Sequence, residues 1–413
     1  MRRYNGHQNS KVARQERPRV TKKGGIGVQR LRLPVLAVFL AAALVLAGCG
    51  GNGADAQPVK IGVNAELTGR VASYGQSFVQ GAELYVEELN KNGGVLGRKV
   101  ELVKVDNKSE KADATNAALR LIEQDKVVAI LGAATSGITM AFAPIAEEHE
   151  VPFVSPSATN PDVTVKDGKT LAYAFRACFI DPFQGEVAAK FALNDLKAKR
   201  AALLVNQSDE YAIGLANAFK EMFLEGGGEI VAEEKYSKGD KDFNSALTRI
   251  KAQNPDVLYL PNYYEDVGLQ IRQARDLGLD IPVLGGDGWD SPELVKLAGD
   301  ASNLNNAYMT AHFSPESTEP AVQTFVKLFK EKYGSEPNGF HALGYDAAGL
   351  VVDAIKRAGE ADPKKIRDAL EATKDFQGVT GKISFDDKHN PVKPAVVIEF
   401  KDGKQTYRTT VHP

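Results

Sequence analysis

The chain has 413 residues, 43% of them hydrophobic and 25% charged, with 51 Lys and Arg against 53 Asp and Glu. These proportions exclude disordered and collagen-like chains, and two cysteines are too few for a disulfide-stapled miniature fold. The net charge of −2 argues against wholesale nucleic-acid binding, yet it is the sum of two unlike parts.

Residues 1–33 come first, with ten basic groups against the single acid Glu16, a charge of +9. The remainder holds 41 Lys and Arg against 52 Asp and Glu, or −11. An uncharged run, Pro34 to Gly48, follows the basic stretch. As a helix, a run of that length spans about 22 Å, short of the ~30 Å hydrocarbon core. A basic stretch before a short apolar one predicts an export signal over 1–48, not a permanent span. The run ends Leu46-Ala47-Gly48-Cys49. This resembles the bacterial lipobox, whose cysteine is acylated and becomes the mature N-terminus, so Cys49 is the expected lipid anchor and the membrane the expected partner of that lipid. A free Cys49 after a signal anchor is the plainer alternative. Residues 49–57 are rich in glycine and predict a flexible tether. The basic stretch is unusually long, and a translation start near Val28 would shorten it. Mapping the start of the primary translation product decides this; a start at Met1 removes the idea.

From Pro58 onward strands and helices alternate. Strands are predicted over 59–63, 100–105, 127–131, 152–154 and 172–177, with helices over 77–89, 111–124 and 139–148 between them. The second half repeats the pattern, with strands at 201–205, 229–235, 257–260, 282–284 and 307–311. Helices near 183–196, 211–225, 242–253 and 265–277 separate them. Helices near 320–333, 340–358 and 363–372 follow, then strand-like stretches at 381–385, 395–401 and 406–411. Such alternation predicts an α/β fold of parallel sheets with helices on both faces. One sheet of this kind rarely exceeds about 250 residues as a single core, so two lobes are expected, with a ligand cleft where their strand ends face each other.

The chemistry of catalysis is missing from the sequence. There is no G-x-S-x-G, no Walker A and no G-x-G-x-x-G opening a helix. His149, His312, His341, His389 and His412 are isolated, none at metal-ligand spacing, and read as surface or packing residues. Cys178 reads as a buried free thiol. No basic groove interleaved with aromatics points to nucleic acid. Neither a catalytic residue, a metal nor a cofactor is therefore assigned.

Strand ends followed by small polar residues carry more promise. Residues 127–131 run into Gly132-Ala133-Ala134-Thr135-Ser136-Gly137, and 152–154 run into Ser155-Pro156-Ser157-Ala158-Thr159-Asn160. Side by side, such turns would hold a carboxylate on hydroxyls and backbone N–H groups; plain helix capping explains them equally well. Residues 282–284 run into Gly285-Gly286-Asp287-Gly288, which suits either a cation contact or an Asx turn. Tyr263 and Tyr264 follow the strand at 257–260 and either wall a pocket or pack.

On these residues, and on Gly69 to Gly75, Gly81-Ala82-Glu83, Asn92-Gly93-Gly94, Tyr211 with Gly214, Lys241-Asp242-Phe243, Gln270 to Arg275 and Tyr345-Asp346-Ala347, the chain resembles the Leu/Ile/Val-binding proteins, the type I solute-binding components of branched-chain amino acid ABC transporters. The resemblance covers residues 58–413. It implies two Rossmann-like lobes joined by three crossings, near 177–179, 310–312 and 392–394. Lobe 1 is then 58–177 with 311–393, and lobe 2 is 178–310 with 394–413. It implies that Ser136, Ser157 and Thr159 hold the ligand carboxylate and that Asp287 holds its ammonium, where the family usually has Glu. Tyr74, Tyr211, Tyr263 and Phe340 match the aromatic cleft. The first-lobe disulfide of many members is missing, since one of its halves aligns at Thr135. The implied protein is an extracytoplasmic, lipid-anchored monomer that captures an amino acid by lobe closure and delivers it to an ABC permease. Rival readings are the same fold binding an amide, urea or aromatic acid, a ligand sensor, and a lipid-anchored hydrolase using Ser136.

Overall fold

The run Val59–Ala65 is apolar at most positions and buried almost throughout, as a parallel strand covered on both faces must be. The computed structural model describes residues 57–413, so the basic leader, the apolar run and Cys49 lie outside the described residues. Val59–Ala65 sits inside a five-stranded sheet in the order Val100–Asp106, Val59–Ala65, Ile130–Gly132, Phe153–Ser155, Ala174–Arg176. All its pairings are parallel.

A second sheet has seven strands, in the order Lys404–Val411, Ala395–Lys401, Ala307–Ala311, Val283–Gly285, Val257–Leu260, Arg200–Asn206, Glu229–Tyr236. The last five of these are parallel. The first two form an antiparallel hairpin added at the edge. The five parallel strands of each sheet share one winding, with the first strand in sequence lying between the second and the third. That arrangement creates a topological switch point beside the first strand, outside whose carboxyl end ligands of open α/β sheets bind. The molecule thus has two Rossmann-like lobes, each with its own switch point.

Helix Ala72–Lys91 packs on helix Gly339–Ala358. The two approach through glycines. A Cβ on Gly81 would lie 1.9 Å from the His341 carbonyl oxygen, and one on Gly344 would lie 2.0 Å from that of Phe78. Alanine at either position would force the helices apart. Asn338 caps the second helix by accepting from the His341 N–H, while His341 Nδ1 accepts from the Asn338 N–H. Burial pushes the His341 pKa down to about 3, so this ring is neutral and structural.

Three segments distant in sequence, at 177–179, 312 and 393, lie against one another. The His312 ring stacks on Phe179 at 3.7 Å, and Lys393 Nζ donates to the Ala177 carbonyl at 3.1 Å. Cys178, between them, is free and buried, with its thiol pushed up to about 12 by burial.

Several helices begin earlier than the apolar period predicts. The first starts at Ala72, not 77, and the third at Ser136, not 139. Their first turns are built from small and polar residues, which carry no periodic signal. The hairpin Val165–Lys166 with Lys169–Thr170, short and largely exposed, was outside the predicted elements for the same reason. Among the described residues no helix is long and apolar enough to cross a membrane.

Candidate functional site

The turns after Ile130–Gly132 and Phe153–Ser155 lie side by side because their strands are paired. Hydroxyls stitch them together. Ser155 Oγ donates to the Ala133 carbonyl at 2.7 Å, Ser157 Oγ donates to the Ala134 carbonyl at 2.8 Å, and Ser136 Oγ accepts from the Asn160 N–H at 3.2 Å. The backbone of the first turn is less free than the sequence suggests. Glu66, fully buried at the end of the first strand, accepts from the N–H groups of Ala134 at 3.0 Å and Thr135 at 3.1 Å, and from Thr135 Oγ1 at 2.9 Å. These two N–H groups are therefore already spent on a protein carboxylate. Burial raises the Glu66 pKa, opposed by those three donors.

Opposite these turns stand the strand ends of the second sheet. Asp287 opens a single helical turn after Val283–Gly285. Its Oδ1 accepts from Tyr211 Oη at 2.9 Å and from Gln184 Nε2 at 2.9 Å, and its Oδ2 lies 3.1 Å from His312 Nε2. His312 is 5% exposed. Burial lowers its pKa against the pull of Asp287, so the neutral ring donates from Nε2. The expectation that this histidine is a mere packing residue is thereby corrected: it touches the carboxylate at the centre of the site. It follows strand Ala307–Ala311, which neighbours the strand before Asp287.

Tyr74, Ala134, Thr135, Ser136, Ser157, Tyr211, Tyr263, Asp287, Gly288 and Phe340 line one cavity. Seven of the eight expected ligand residues thus meet at one place. The eighth, Thr159, is fully buried and stands behind this wall, its hydroxyl without a hydrogen-bond partner. The four aromatic rings form a run across the cavity: Phe340 stacks on Tyr74 at 4.2 Å, Tyr74 meets Tyr263 edge-on at 5.6 Å, and Tyr263 stacks on Tyr211 at 4.9 Å. Tyr74 Oη also donates to the Gly288 carbonyl and accepts from the Tyr264 N–H. The rings leave about 10 Å³, the space of about one water-sized sphere. Admitting a larger ligand requires the rings to turn or the lobes to part.

Other contacts close the cleft beside this cavity. Arg70, between the first strand and the first helix, lies 2.7 Å from Asp209, 3.3 Å from Asp266 and 3.6 Å from Glu265, and its guanidinium sits 5.3 Å from the Tyr263 ring centre. Burial acts to lower its pKa, but Asp209 and Asp266 outweigh it and hold the charge firmly. Ser73 Oγ meets Ser291 Oγ at 2.8 Å, and Lys111 pairs with Glu210. Replacing Arg70 by methionine is expected to weaken ligand binding about tenfold, a change of about 1.4 kcal/mol, by removing a latch made only when the lobes meet. It should also flatten the salt dependence of binding. Unchanged affinity by calorimetry together with unchanged solution scattering would remove that role.

Two lobes with facing switch points, hydroxyls on one side, a carboxylate on the other and aromatic rings between them are the features of a solute-binding protein. The periplasmic binding protein family profile matches residues 58–405, and the chain belongs to that family. It is 33% identical over 350 residues to the leucine-, isoleucine-, valine-, threonine- and alanine-binding protein of Pseudomonas aeruginosa, covering 84% of this chain and 91% of that one. The branched-chain amino acid transporter substrate-binding protein LivJ of Streptococcus pneumoniae, solved with isoleucine, superposes with a TM-score of 0.81 at 39% identity, covering 86% and 100%. A solute-binding protein of R. palustris in complex with benzoate gives 0.77 at 26% identity, covering 86% and 97%.

Proposed function

We propose that the chain captures an α-amino acid with a hydrophobic, branched side chain and delivers it to an ABC permease, acting as a receptor and not as an enzyme. The observation that carries this reading is the meeting, in one aromatic-lined cavity, of the Ser136 and Ser157 turns with Asp287. The first edge suits a carboxylate and the second an ammonium, which is the charge pattern of a zwitterion. The names of the similar proteins point the same way. Closure turns about the three crossings near 177–179, 310–312 and 392–394, so that lobe 1 comprises 58–177 with 311–393 and lobe 2 comprises 178–310 with 394–413. The protein works outside the cytoplasm as a monomer, held to the membrane by acylated Cys49.

Charged hydrogen bonds of about 1.5–3 kcal/mol each, with one buried apolar side chain worth about 1.5–3 kcal/mol, supply the roughly −8 kcal/mol of a micromolar receptor. Thermal unfolding of the protein against the twenty amino acids tests the reading. Leucine, isoleucine or valine at about 100 times its Kd stabilises by about 2.7 kcal/mol, which raises Tm by a few degrees. The benzoate complex of the R. palustris relative makes an aromatic acid the second reading. Such a ligand leaves Asp287 without a cation, and a shift with benzoate but with no amino acid would favour it.

A further inference from the structure

Glu66 holds the turn beside the cavity, and a turn needs acceptors, not a charge. Its donors are the N–H groups of Ala134 and Thr135 and the Thr135 hydroxyl, and both residues line the cavity. Three donors on two oxygens suit an ionised carboxylate, which only accepts. The nearest basic residue in sequence, Arg70, is paired with Asp209, Asp266 and Glu265 instead, and among the described residues no ion pair includes Glu66. A buried charge without a partner is costly, so this one calls for a role beyond holding the turn. Glu66 stands directly behind the cavity wall. Its carboxylate lies on Thr135, and its backbone lies against the turn of helix Ala72–Lys91 that carries Tyr74, another lining residue. A Cβ on Gly75 there would lie 2.2 Å from the Glu66 carbonyl oxygen. The Tyr263 pKa is raised chiefly by burial, and Glu66 is among the carboxylates that add to it. The charge therefore reaches the rings that line the cavity.

With Asp287 on the opposite edge, the ligand enters between two carboxylates. A zwitterion is neutral overall, and its ammonium offsets the repulsion on its carboxylate. A bare acid brings a further negative charge with nothing to offset it, in a site where little water screens the repulsion. The R. palustris relative was solved with benzoate, so the fold alone does not turn a bare acid away. We propose that Glu66 is a specificity-determining residue, whose fixed negative charge behind the Thr135 turn admits a net-neutral α-amino acid and turns away the bare carboxylic acid of the same skeleton. This deepens the amino-acid reading above and rests on it. The ligand's carboxylate does not need the two N–H groups that Glu66 takes. Ser136 Oγ accepts from the Asn160 N–H and keeps its own proton to donate to that carboxylate.

The test uses three ligands on one skeleton: leucine, 4-methylpentanoate (leucine without its amino group) and 3-methylbutylamine (leucine without its carboxyl group). At about pH 7 they carry no net charge, one negative and one positive. Each is titrated by calorimetry into the full chain and its Glu66→Gln and Glu66→Asp variants. Relative to leucine, Glu66→Gln is expected to tighten the acid about tenfold and to weaken the amine about tenfold. Glu66→Asp keeps the charge on a shorter stem, so it should shift all three ligands together and preserve their ratios. A merely loosened turn would do the same in Glu66→Gln, which is why the ratio of acid to leucine is the readout. If Glu66→Gln does not fold, Glu66→Ala, which leaves room for water on the two N–H groups, is read by the same ratio. A ratio within about threefold of wild type in the neutral variant overturns the assignment and leaves the amino-acid reading standing. An acid still undetectable in that variant overturns it too. A wild-type protein that binds no amino acid fails the functional reading itself.

Discussion

Replacing Asp287 by alanine is expected to abolish measurable amino-acid binding while leaving a folded chain. The carboxylate is 4% exposed and is the shared acceptor for Tyr211, Gln184 and His312. Its loss removes a negative charge from the site and leaves three buried donors without a partner. Breaking a buried charge pair by deleting one member costs about 3–5 kcal/mol, or roughly two to three and a half decades in Kd. A micromolar receptor would become a millimolar one. The global fold should survive, because Asp287 lies at the cleft and outside both hydrophobic layers, and circular dichroism checks that. Asp287→Asn keeps the shape and should fall between wild type and alanine. Unchanged leucine affinity in the alanine variant would reject any role for this residue in holding the cation.

How the site is assembled explains which parts the sequence revealed. Strand and helix order followed from burial periodicity, because Val59–Ala65, Val257–Leu260 and their neighbours are covered on both faces. Ser136, Ser157 and Asp287 were legible as polar residues directly after such strands. Glu66 and His312 occupy the same kind of position, after Val59–Ala65 and Ala307–Ala311, yet they were passed over. Glu66 falls between the predicted strand end at 63 and the turn marked by Thr68 and Gly69, and His312 seemed isolated because its partner Asp287 is 25 residues away. Parallel strands make such pairs, since crossover helices separate residues in sequence while the sheet aligns their strand ends. Taking the first polar residue after every predicted strand would have found His312, whereas after 59–63 it picks Asn64, because the strand runs on to Ala65 and Glu66 follows only there. Gln184 carried a fainter signal still. It sits in the first turn of helix Asp181–Asn194, and only the tertiary fold brings that turn beside Asp287.

Asp181, fully buried at the start of helix Asp181–Asn194, gives the second large effect, this time on stability. Burial, the dominant cause, pushes its pKa up to about 8, against a smaller lowering by the Thr159 hydroxyl. An unfolded chain releases this proton near 3.9. Between those values the folded state binds more protons than the unfolded one, so Asp181 makes stability fall as pH rises from about 4 to about 8. Asparagine cannot ionise and resembles the protonated acid, so Asp181→Asn should match the wild type near pH 4 and exceed it increasingly up to pH 8. At 1.36 kcal/mol per pH unit, the gain reaches the order of 5 kcal/mol. Urea unfolding of both proteins across that range reads it directly. A variant less stable than wild type at every pH would show instead that the Asp181 carboxylate holds the fold together.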